Sequence, residues 1–412
     1  MRLRSDLLLT FFTEITKVAL GIAVFKMADI RFGAEGFAAF NLGRRAFSFL
    51  LSFSTLGLGV GIARFVALHN GSVQAGRRFF LAGALILLFS SFLLALNMFI
   101  FRGPAARLLF GDPKYSSMMI AMALALAGQM LHVALYSYWR GQLKMRPANL
   151  LQLINTALIP LLSVVVAFDV AHMFKLQGAC TAFVCMAGFF VFSTKSEYRD
   201  FKWPSKQDFS ILLKYGIQRV PGDLGLAALL ALPPFALIHT GGLMEGGAMA
   251  FGISIMSMVS TSIAPVGLVM LPKATMLMKE NKKQQILHYV KLLSGIAGAV
   301  GLMAFLAFYF QGKEIVRLFS ETLSQNSLRY VVICQFAGIF YLQFVGLRSF
   351  IDAAFFKSHN TTNILISLLL MGIIIGAGIL FQRPHQAAIF SFPLACVALS
   401  LLSLFRITKL AQ

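Results

Sequence analysis

The sequence predicts an all-α integral membrane protein with twelve transmembrane helices, in two pseudo-symmetric six-helix lobes around a central cationic cavity. Three observations lead to this prediction. The 412-residue chain is 58% hydrophobic and only 12% charged, whereas a soluble domain carries about 25% charged residues. Apolar stretches recur along the chain at the length of about 20 residues that a bilayer-spanning helix needs. Several arginines and lysines lie inside those stretches.

Twelve apolar stretches are predicted to cross the membrane. They are 7–29, 35–67, 79–101, 118–138, 149–168, 174–194, 218–239, 247–271, 292–310, 330–350, 361–381 and 387–405. Glu14 and Lys17 interrupt the first of them, and no convincing small-residue cleavage site follows it. We therefore expect a retained first helix rather than a signal peptide.

The distribution of Lys and Arg predicts the orientation of the chain. With both termini in the cytoplasm, twenty of the 36 cations fall on the inside and nine on the outside, and seven lie in or at the edge of spans. Cytoplasmic loops carry the excess of positive charge in membrane proteins. The net charge of +21 then comes mostly from Lys and Arg residues in cytoplasmic loops, so we expect no nucleic-acid partner. The predicted chain crosses the membrane several times, with both termini in the cytoplasm.

Similar segments in the two halves suggest an internal duplication. FRGPAARLLFG (101–111) resembles FQGKEIVRLFS (310–320) at an offset of 209, and that offset also places Glu14 on Asp223. An offset of 210 places Glu35 on Glu245. We therefore predict one lobe over 1–200 and a second over 201–412. Between them, SKQD (205–208) is a capping-box pattern that predicts the start of a helix leading into span seven.

Three acids in or beside the spans have a cation one helical turn away. The spacings are i,i+3 for Glu14 with Lys17, and i,i+4 for Arg219 with Asp223 and for Arg348 with Asp352. Partners at these spacings share one helix face. Two interpretations stay open for each pair: local neutralisation, or a charge relay or ion site at a cavity wall.

Arg44 and Arg45 have no acid at i±3 or i±4 in their helix. At 100° per residue, they flank a polar stripe that contains Asn41, Ser48 and Ser52. A second stripe runs through Thr10, Thr13, Glu14, Lys17 and Gly21, and a third through Ser254, Ser257, Thr261, Pro265 and Pro272. Small and hydroxyl residues also mediate helix packing, but cations on a stripe favour water. We infer an aqueous, positively charged cavity lined by spans one, two, seven and eight, whose guest is an anion.

Other features carry little chemistry. The four cysteines lie in apolar stretches without metal-ligand spacing, and no nucleotide-binding or protease motif is present. We therefore expect no cofactor and no metal, and a driving force from an ion gradient such as H+ or Na+, the membrane potential or the substrate gradient. His132 lies mid-span, where a hydrogen-bonded core histidine is more usual than a proton relay.

One stretch is more specific, YSYWRGQLKMRPANLLQLINTALIPLL (136–162). Its aromatic run, Arg-Gly, basic Lys-x-Arg and Ala-Asn before an apolar helix resemble Wzx-type lipid-linked oligosaccharide flippases. Those flippases belong to the multidrug/oligosaccharidyl-lipid/polysaccharide exporter superfamily. LGLGVGIARFVAL (56–68), LLKYGIQRVPGDLG (212–225), IAPVGLVMLPKAT (263–275) and LRSFIDAAFFKSHNTTNILI (347–366) are similar to it in the same order.

The resemblance implies a two-lobed alternating-access flippase in the bacterial inner (cytoplasmic) membrane. Its implied substrate is an undecaprenyl-pyrophosphate-linked oligosaccharide for O-antigen or a similar polysaccharide, moved to the outer leaflet, with the glycan polymerase and chain-length machinery as partners. We predict substrate-binding roles for Arg44, Arg45, Lys17, Arg219, Asn41 and Ser48, and ion-coupling or charge-pair roles for Glu14, Asp223, Arg348 and Asp352. The predicted protein is a transporter and not an enzyme.

Two other classes remain open from the sequence. Another exporter of the superfamily, such as a lipid II flippase or a drug/ion antiporter, would share the fold. The lipid II flippases usually have two further helices, and cationic drugs would be repelled by Arg44 and Arg45. A glycan polymerase or ligase would typically expose a sizeable outer loop, which this sequence lacks.

Overall fold

The computed structural model describes residues 2–69, 72–193, 203–263, 282–323, 325–354 and 358–408, with isolated positions between 270 and 280. Every regular element in this part is a helix. The helices are α1 (Arg2–Thr55), α2 (Leu58–Leu68), α3 (Val73–Ile100), α4 (Arg102–Phe110), α5 (Ser116–Gly141), α6 (Met145–Leu153), α7 (Ile159–Val166), α8 (Val170–Ser193), α9 (Lys206–Ile217), α10 (Val220–Gly241), α11 (Leu243–Ser260), α12 (Lys283–Arg317), α13 (Gln325–Ala354), α14 (His359–Leu380) and α15 (Pro384–Thr408). A 3₁₀ turn, Pro113–Tyr115, precedes α5, and a π-helical turn, Ile154–Leu158, joins α6 to α7.

The chain divides into two compact units, Met1–Asp223 and Leu224–Gln412. The predicted lobe boundary at 200/201 lies outside the described residues. In the first unit, α2, α3, α5, α6, α8 and α9 share one apolar core. In the second unit, α10 to α15 share another.

The described residues contain ten helices long and apolar enough to cross a membrane, or up to eleven if the pair Leu9–Thr55 and Leu58–Leu68, bent by 44°, is one span. The twelve predicted spans are therefore not all separate elements. The predicted spans 7–29 and 35–67 form α1 and α2, with no loop at residues 30–34. Between these two predicted spans, Gly33 is the single residue with non-helical backbone angles, and the chain is helical again directly after it.

Gly33 folds α1 back on itself. In one straight helix, Phe25 and Arg44 would lie ~28 Å apart at about 1.5 Å per residue. The Arg44 Cζ instead lies 4.6 Å from the centre of the Phe25 ring, and the Phe25 and Phe40 ring centres are 5.8 Å apart. α1 therefore consists of two antiparallel arms, the first arm (2–32) and the second arm (34–55). Gly33 has φ 64° and ψ −174°, a conformation that only glycine adopts without strain.

We expect Gly33→Ala to lower the thermal unfolding midpoint of the purified protein, because a Cβ in this conformation costs about 1–3 kcal/mol. Gly103→Ala is the matched control, since a Cβ at either position meets no atom within 4 Å and no positive φ is recorded at Gly103. Equal midpoints for the two variants would contradict a conformational requirement at Gly33.

The second unit repeats the two backbone breaks of the first. Gly242, between α10 and α11, has φ 84° and ψ 179°, and it follows Gly33 by the predicted offset of 209. Phe101 separates α3 from α4 with φ −100° and ψ 26°, and Gln311 interrupts α12 with φ −121° and ψ 19°. These paired breaks support the predicted duplication.

A side-chain cluster is also repeated. Glu35 Oε1 lies 2.8 Å from Lys114 Nζ and accepts a hydrogen bond from Tyr115 at 2.8 Å. In the second unit, Glu245 Oε1 lies 3.2 Å from the Nη2 of Arg329, which donates to the neighbouring Tyr330 hydroxyl at 2.6 Å. In both units, a carboxylate just after the glycine break therefore pairs with a cation that directly precedes a tyrosine.

The linker helix α9 starts where the sequence predicts. Ser205 accepts a hydrogen bond from the backbone N–H of Asp208, and the Asp208 carboxylate accepts one from the Ser205 N–H at 2.8 Å. The capping box of SKQD is thereby confirmed. The Asp208 carboxylate also lies 3.8 Å from Nε of Arg78 in α3, which ties α9 to the first unit.

Candidate functional site

Arg44 is held between aromatic rings of the two arms of α1. Its Cζ lies 4.6 Å from the centre of the Phe25 ring and 5.6 Å from that of Phe40, and both rings are buried. A guanidinium over an aromatic face is stabilised by the ring quadrupole, most strongly where water is scarce. Among the described residues, no carboxylate lies within 4 Å of Arg44. Its charge is therefore oriented but not neutralised.

Arg44 lines a pocket of about 140 Å³ within the first unit. That volume is well above the ~10–15 Å³ that one water molecule needs. Four polar side chains converge there, and they are Arg44, Ser48, Thr156 and Gln177. The remaining wall residues are Gly21, Val24, Phe40, Phe47, Pro160 and Phe174. The pocket therefore offers one permanent positive charge, three neutral hydrogen-bonding groups and aromatic surface.

The predicted site residues of the second arm separate around this pocket. Ser48 lines it with Arg44, whereas Arg45 and Asn41 do not. Arg45 is half-buried elsewhere on the arm. Asn41 is fully buried and donates to the carbonyl of Phe37 in its own helix at 2.8 Å. Of the two adjacent arginines, Arg44 is the one placed to meet a guest of the pocket.

Two polar residues of the pocket, Thr156 and Gln177, were not among the predicted site residues. Thr156 stands in the π-helical turn, where the Ile159 N–H donates to the Ile154 carbonyl, five residues back. Pro160 follows this turn in α7. Gln177 belongs to α8. A lone glutamine inside the apolar stretch FKLQGAC was the available signal for it.

The predicted contact between Glu14 and Lys17 is confirmed. Lys17 Nζ lies 2.8 and 2.9 Å from the two carboxylate oxygens of Glu14. The two side chains are only 28% and 20% exposed. Neither residue lines the Arg44 pocket. Whether the pair has an ion-coupling role stays a prediction.

A double-mutant cycle measures how strongly Glu14 and Lys17 depend on each other. We expect Glu14→Gln to destabilise the protein more than the double change with Lys17→Gln, because the single change leaves an unpaired charge in an apolar setting. The expected coupling is about 0.5–3 kcal/mol. The matched control is the i,i+3 pair of Glu314 and Arg317, whose side chains are 68% and 55% exposed, and its coupling should stay near 0–1 kcal/mol. Equal coupling in the two cycles would contradict this expectation.

The predicted ion pair between Arg219 and Asp223 does not form. α9 ends at Ile217 and α10 starts at Val220, with a turn at 218–219, so Arg219 stands just before α10, and the Asp223 N–H still donates to the Arg219 carbonyl. The guanidinium of Arg219 instead lies over the ring of Tyr215, 5.9 Å from its centre. Arg64 lies over the same ring at 5.1 Å. Asp223 is in the first turn of α10, where the helix dipole favours a carboxylate.

Arg348 and Asp352 are likewise not paired, although both belong to α13. Asp352 Oδ1 accepts a hydrogen bond from the side chain of Asn360 at 2.7 Å, and the same Nδ2 lies 2.9 Å from the carbonyl oxygen of Arg348. The side-chain amide of Asn360, at the start of α14, therefore binds the Asp352 carboxylate that was predicted to pair with Arg348.

Hydroxyls of the predicted third stripe bond to their own helix. Ser254 donates to the Ala250 carbonyl at 2.8 Å, and Ser257 to that of Ile253 at 2.7 Å. These hydroxyls therefore do not by themselves require water. Pro265 and Pro272, together with most of the stretch 263–275, lie outside the described residues.

No protein-family model matches the chain, and no curated protein matches it in sequence. Solved structures do match its fold. A multidrug resistance MATE family transporter of the MOP superfamily, in an inward-facing conformation, is 16% identical, with 98% of this chain and 99% of that chain covered and a TM-score of 0.67. A MOP superfamily transporter from Pyrococcus furiosus, described as having a binding pocket of reversed polarity, is 14% identical, with 99% and 96% covered and a TM-score of 0.68. A MATE structure in complex with MaL6 is 15% identical, with 98% and 96% covered and a TM-score of 0.66. The chain thus has the multi-pass, all-helical fold of MOP superfamily transporters.

Proposed function

We propose that this protein flips an undecaprenyl-pyrophosphate-linked oligosaccharide from the cytoplasmic to the periplasmic leaflet by alternating access. In this proposal the two arms of α1 each cross the bilayer, which gives twelve crossings in two six-helix lobes. Both termini lie in the cytoplasm of a bacterial cell. The fold shared with MOP superfamily transporters supports a transporter, and the sequence resemblance to Wzx-type flippases supports this substrate.

The observation that carries the proposal is the unneutralised guanidinium of Arg44 in a polar pocket. A charged side chain inside a bilayer costs about 2.5–3.5 kcal/mol on insertion scales. An arginine with no carboxylate within 4 Å in the described part of the chain therefore favours a guest that supplies the counter-charge. The planar guanidinium forms two parallel hydrogen bonds to phosphate oxygens, which suits a pyrophosphate. Ser48, Thr156 and Gln177 add neutral groups that can bind further oxygens of the headgroup.

Pocket polarity also separates this function from the runner-up within the superfamily. The reversed polarity of the pocket in the Pyrococcus furiosus transporter suggested a different function for that protein. By the same reasoning, a pocket with one fixed positive charge disfavours a cationic drug. A drug/ion antiporter or a lipid II flippase remains the second candidate, and a glycan polymerase or ligase is less supported.

A deletion strain tests the proposal. We expect loss of the surface polysaccharide and accumulation of its undecaprenyl-linked unit on the cytoplasmic leaflet, with both defects reversed by the gene supplied in trans. The glycan polymerase and chain-length proteins, proposed as partners, should remain present at normal levels. Normal surface glycan in the deletion strain, with no trapped intermediate, would contradict the assignment.

A further inference from the structure

His132 lies in the middle of α5 and has a hydrogen-bond partner at each ring nitrogen. Its side chain is buried, Nε2 lies 3.1 Å from Gln152 Oε1, and Nδ1 lies 2.9 Å from Asn155 Nδ2. A neutral imidazole has one donor and one acceptor. Because Gln152 presents an oxygen and Asn155 an NH₂ group, this arrangement fits a neutral ring with its proton on Nε2.

The side-chain amide of Asn155 has hydrogen-bond partners at its nitrogen but none at its oxygen. Its residue is 4% exposed, and Nδ2 lies within reach of both His132 Nδ1 and Cys185 Sγ, the latter at 3.4 Å. Its Oδ1 is buried without a hydrogen-bond partner in the described part of the chain. A buried acceptor without a partner costs about 1–3 kcal/mol. The amide therefore holds an unused acceptor beside a titratable ring.

Protonation of His132 would change which amide atom of Asn155 can form a hydrogen bond with the ring. An imidazolium donates from both nitrogens, so its Nδ1–H would face the NH₂ group of Asn155. Rotation of the Asn155 amide by about 180° would present Oδ1 instead and give that oxygen its partner. The same rotation would withdraw the donor from Cys185 Sγ. The site thus supports two arrangements that differ by one proton.

This site is joined to the Arg44 pocket by the π-helical turn. Asn155 and Thr156 are consecutive in that turn, and Thr156 lines the pocket. Thr156 Oγ1 also donates to the backbone carbonyl of Gln152 at 2.7 Å, while the Gln152 side chain holds His132. Single-turn π-bulges inside helices occur frequently at functional sites. Two short routes therefore connect the histidine ring to a wall of the pocket.

We propose that His132, Gln152 and Asn155 form a proton-binding site that controls the shape and anion affinity of the Arg44 pocket through Thr156. Protonation rotates the Asn155 amide, shifts the π-helical turn and adds a positive charge to the same unit. Affinity for a diphosphate group rises as His132 takes up its proton, and by linkage a bound diphosphate favours the protonated ring. The diphosphate part of this statement rests on the proposed function, whereas proton binding does not.

Charged and titratable side chains around His132 come from several helices. From α1, Lys17 acts on the ring electrostatically, and it is paired with Glu14. From α8, Cys185 touches Asn155, and within α5 the ring of Tyr136 stacks on His132 with centres 5.6 Å apart. The Cζ of Arg140 in turn lies 5.4 Å from the centre of the Tyr136 ring.

The remaining cations of the packed helices stand at the ends of α5 or beyond it. Arg64 of α2 lies over Tyr215. Arg77 and Arg78 begin α3, whose Phe80 meets Tyr138 near the end of α5. Arg102 and Arg107 belong to α4, whose Phe110 meets Tyr115 just before α5 begins. Lys17, which is paired with Glu14, is the charged side chain that acts electrostatically on His132, and its positive charge opposes protonation of the ring.

Hydrogen–deuterium exchange of the full-length protein in nanodiscs tests the switch without any transport assay. After correction for the intrinsic pH dependence of amide exchange, we expect protection of residues 154–158 to differ by about threefold or more between pH 4.0 and pH 7.5. His132→Gln should abolish that difference. Asn155→Asp should hold the ring protonated and give the low-pH pattern at both pH values. His69→Gln, at the exposed end of α2, is the matched control and should behave as the parent protein.

Inorganic pyrophosphate separates failure of the switch from failure of the proposed function. Tighter pyrophosphate binding at pH 4.0 than at pH 7.5, lost in His132→Gln, is the expected result. If protection depends on pH but pyrophosphate does not bind at either pH, the proton site stands and the proposed function fails. An unchanged pH difference in both His132→Gln and Asn155→Asp, or no pH difference in the parent protein, overturns the switch.

Discussion

Replacing Arg44 with glutamate is expected to abolish surface glycan export, and the same change at Arg45 is expected to reduce it much less. Arg44 lines the pocket and Arg45 does not. At an effective dielectric near 20, two unit charges 4 Å apart interact by about 4 kcal/mol. A carboxylate at position 44 would reverse the sign of that interaction with a pyrophosphate. The measurement is surface glycan in the deletion strain at matched protein levels.

Milder substitutions at position 44 rank the contributions of charge and shape. Arg44→Ala should lower the flipping rate about 10- to 100-fold, since a charge-assisted hydrogen bond is worth about 1.5–3 kcal/mol. Arg44→Lys should retain part of the activity because it keeps the charge and loses the fork. Normal export by Arg44→Glu, with the protein inserted at normal levels, would show that Arg44 only packs against Phe25 and Phe40.

A second large effect is expected at Gly178 in α8, where the helix backbone touches α5. A Cβ built on Gly178 would lie 2.6 Å from Ala125 Cα and 3.0 Å from its backbone nitrogen. Because backbone atoms cannot move aside as a flexible side chain can, Gly178→Val must separate the two helices. Overpacking of this kind costs about 1–3 kcal/mol. It would also displace the neighbouring Gln177 and, one turn earlier, Phe174, both of which line the pocket.

The comparison for Gly178→Val is Gly372→Val in α14. Both glycines lie inside apolar helices, but a Cβ on Gly372 meets no atom within 4 Å. We expect a lower unfolding midpoint and lost export for Gly178→Val, with little change in either for Gly372→Val. Similar losses for the two variants would indicate a general intolerance of valine in these helices rather than a close contact of α5 with α8.

Local patterns in the sequence predicted much of the helical architecture. The capping box of SKQD, the apolar spans and the repeated segments at an offset of 209 each depend on neighbouring residues or on one helix period. The sequence predicted separate spans at 7–29 and 35–67, on either side of Gly33, but not that this one glycine would take the place of a loop. Contacts such as that between Phe25 and Arg44 show that the two arms lie side by side.

The candidate site was predicted only in part. The helical wheel placed Arg44 and Ser48 on a polar stripe, and both line the pocket. It also placed Asn41 there, although this side chain bonds to its own helix. A wheel at 100° per residue assumes an unbroken α-helix, so it could not foresee the turn at 218–219, where α9 ends just before α10. The π-helical turn that brings in Thr156 was invisible for the same reason.

Reconstituted flipping tests the central claim most directly. The purified protein would be placed in liposomes with an undecaprenyl-pyrophosphate-linked oligosaccharide confined to one leaflet, and the glycan reaching the other leaflet would be measured with a membrane-impermeant lectin. We expect rapid transfer by the parent protein, slow transfer by Arg44→Ala and none by Arg44→Glu. Transfer that is no faster than in protein-free liposomes, from a folded protein and with a proton gradient of either direction, would contradict the proposed flipping.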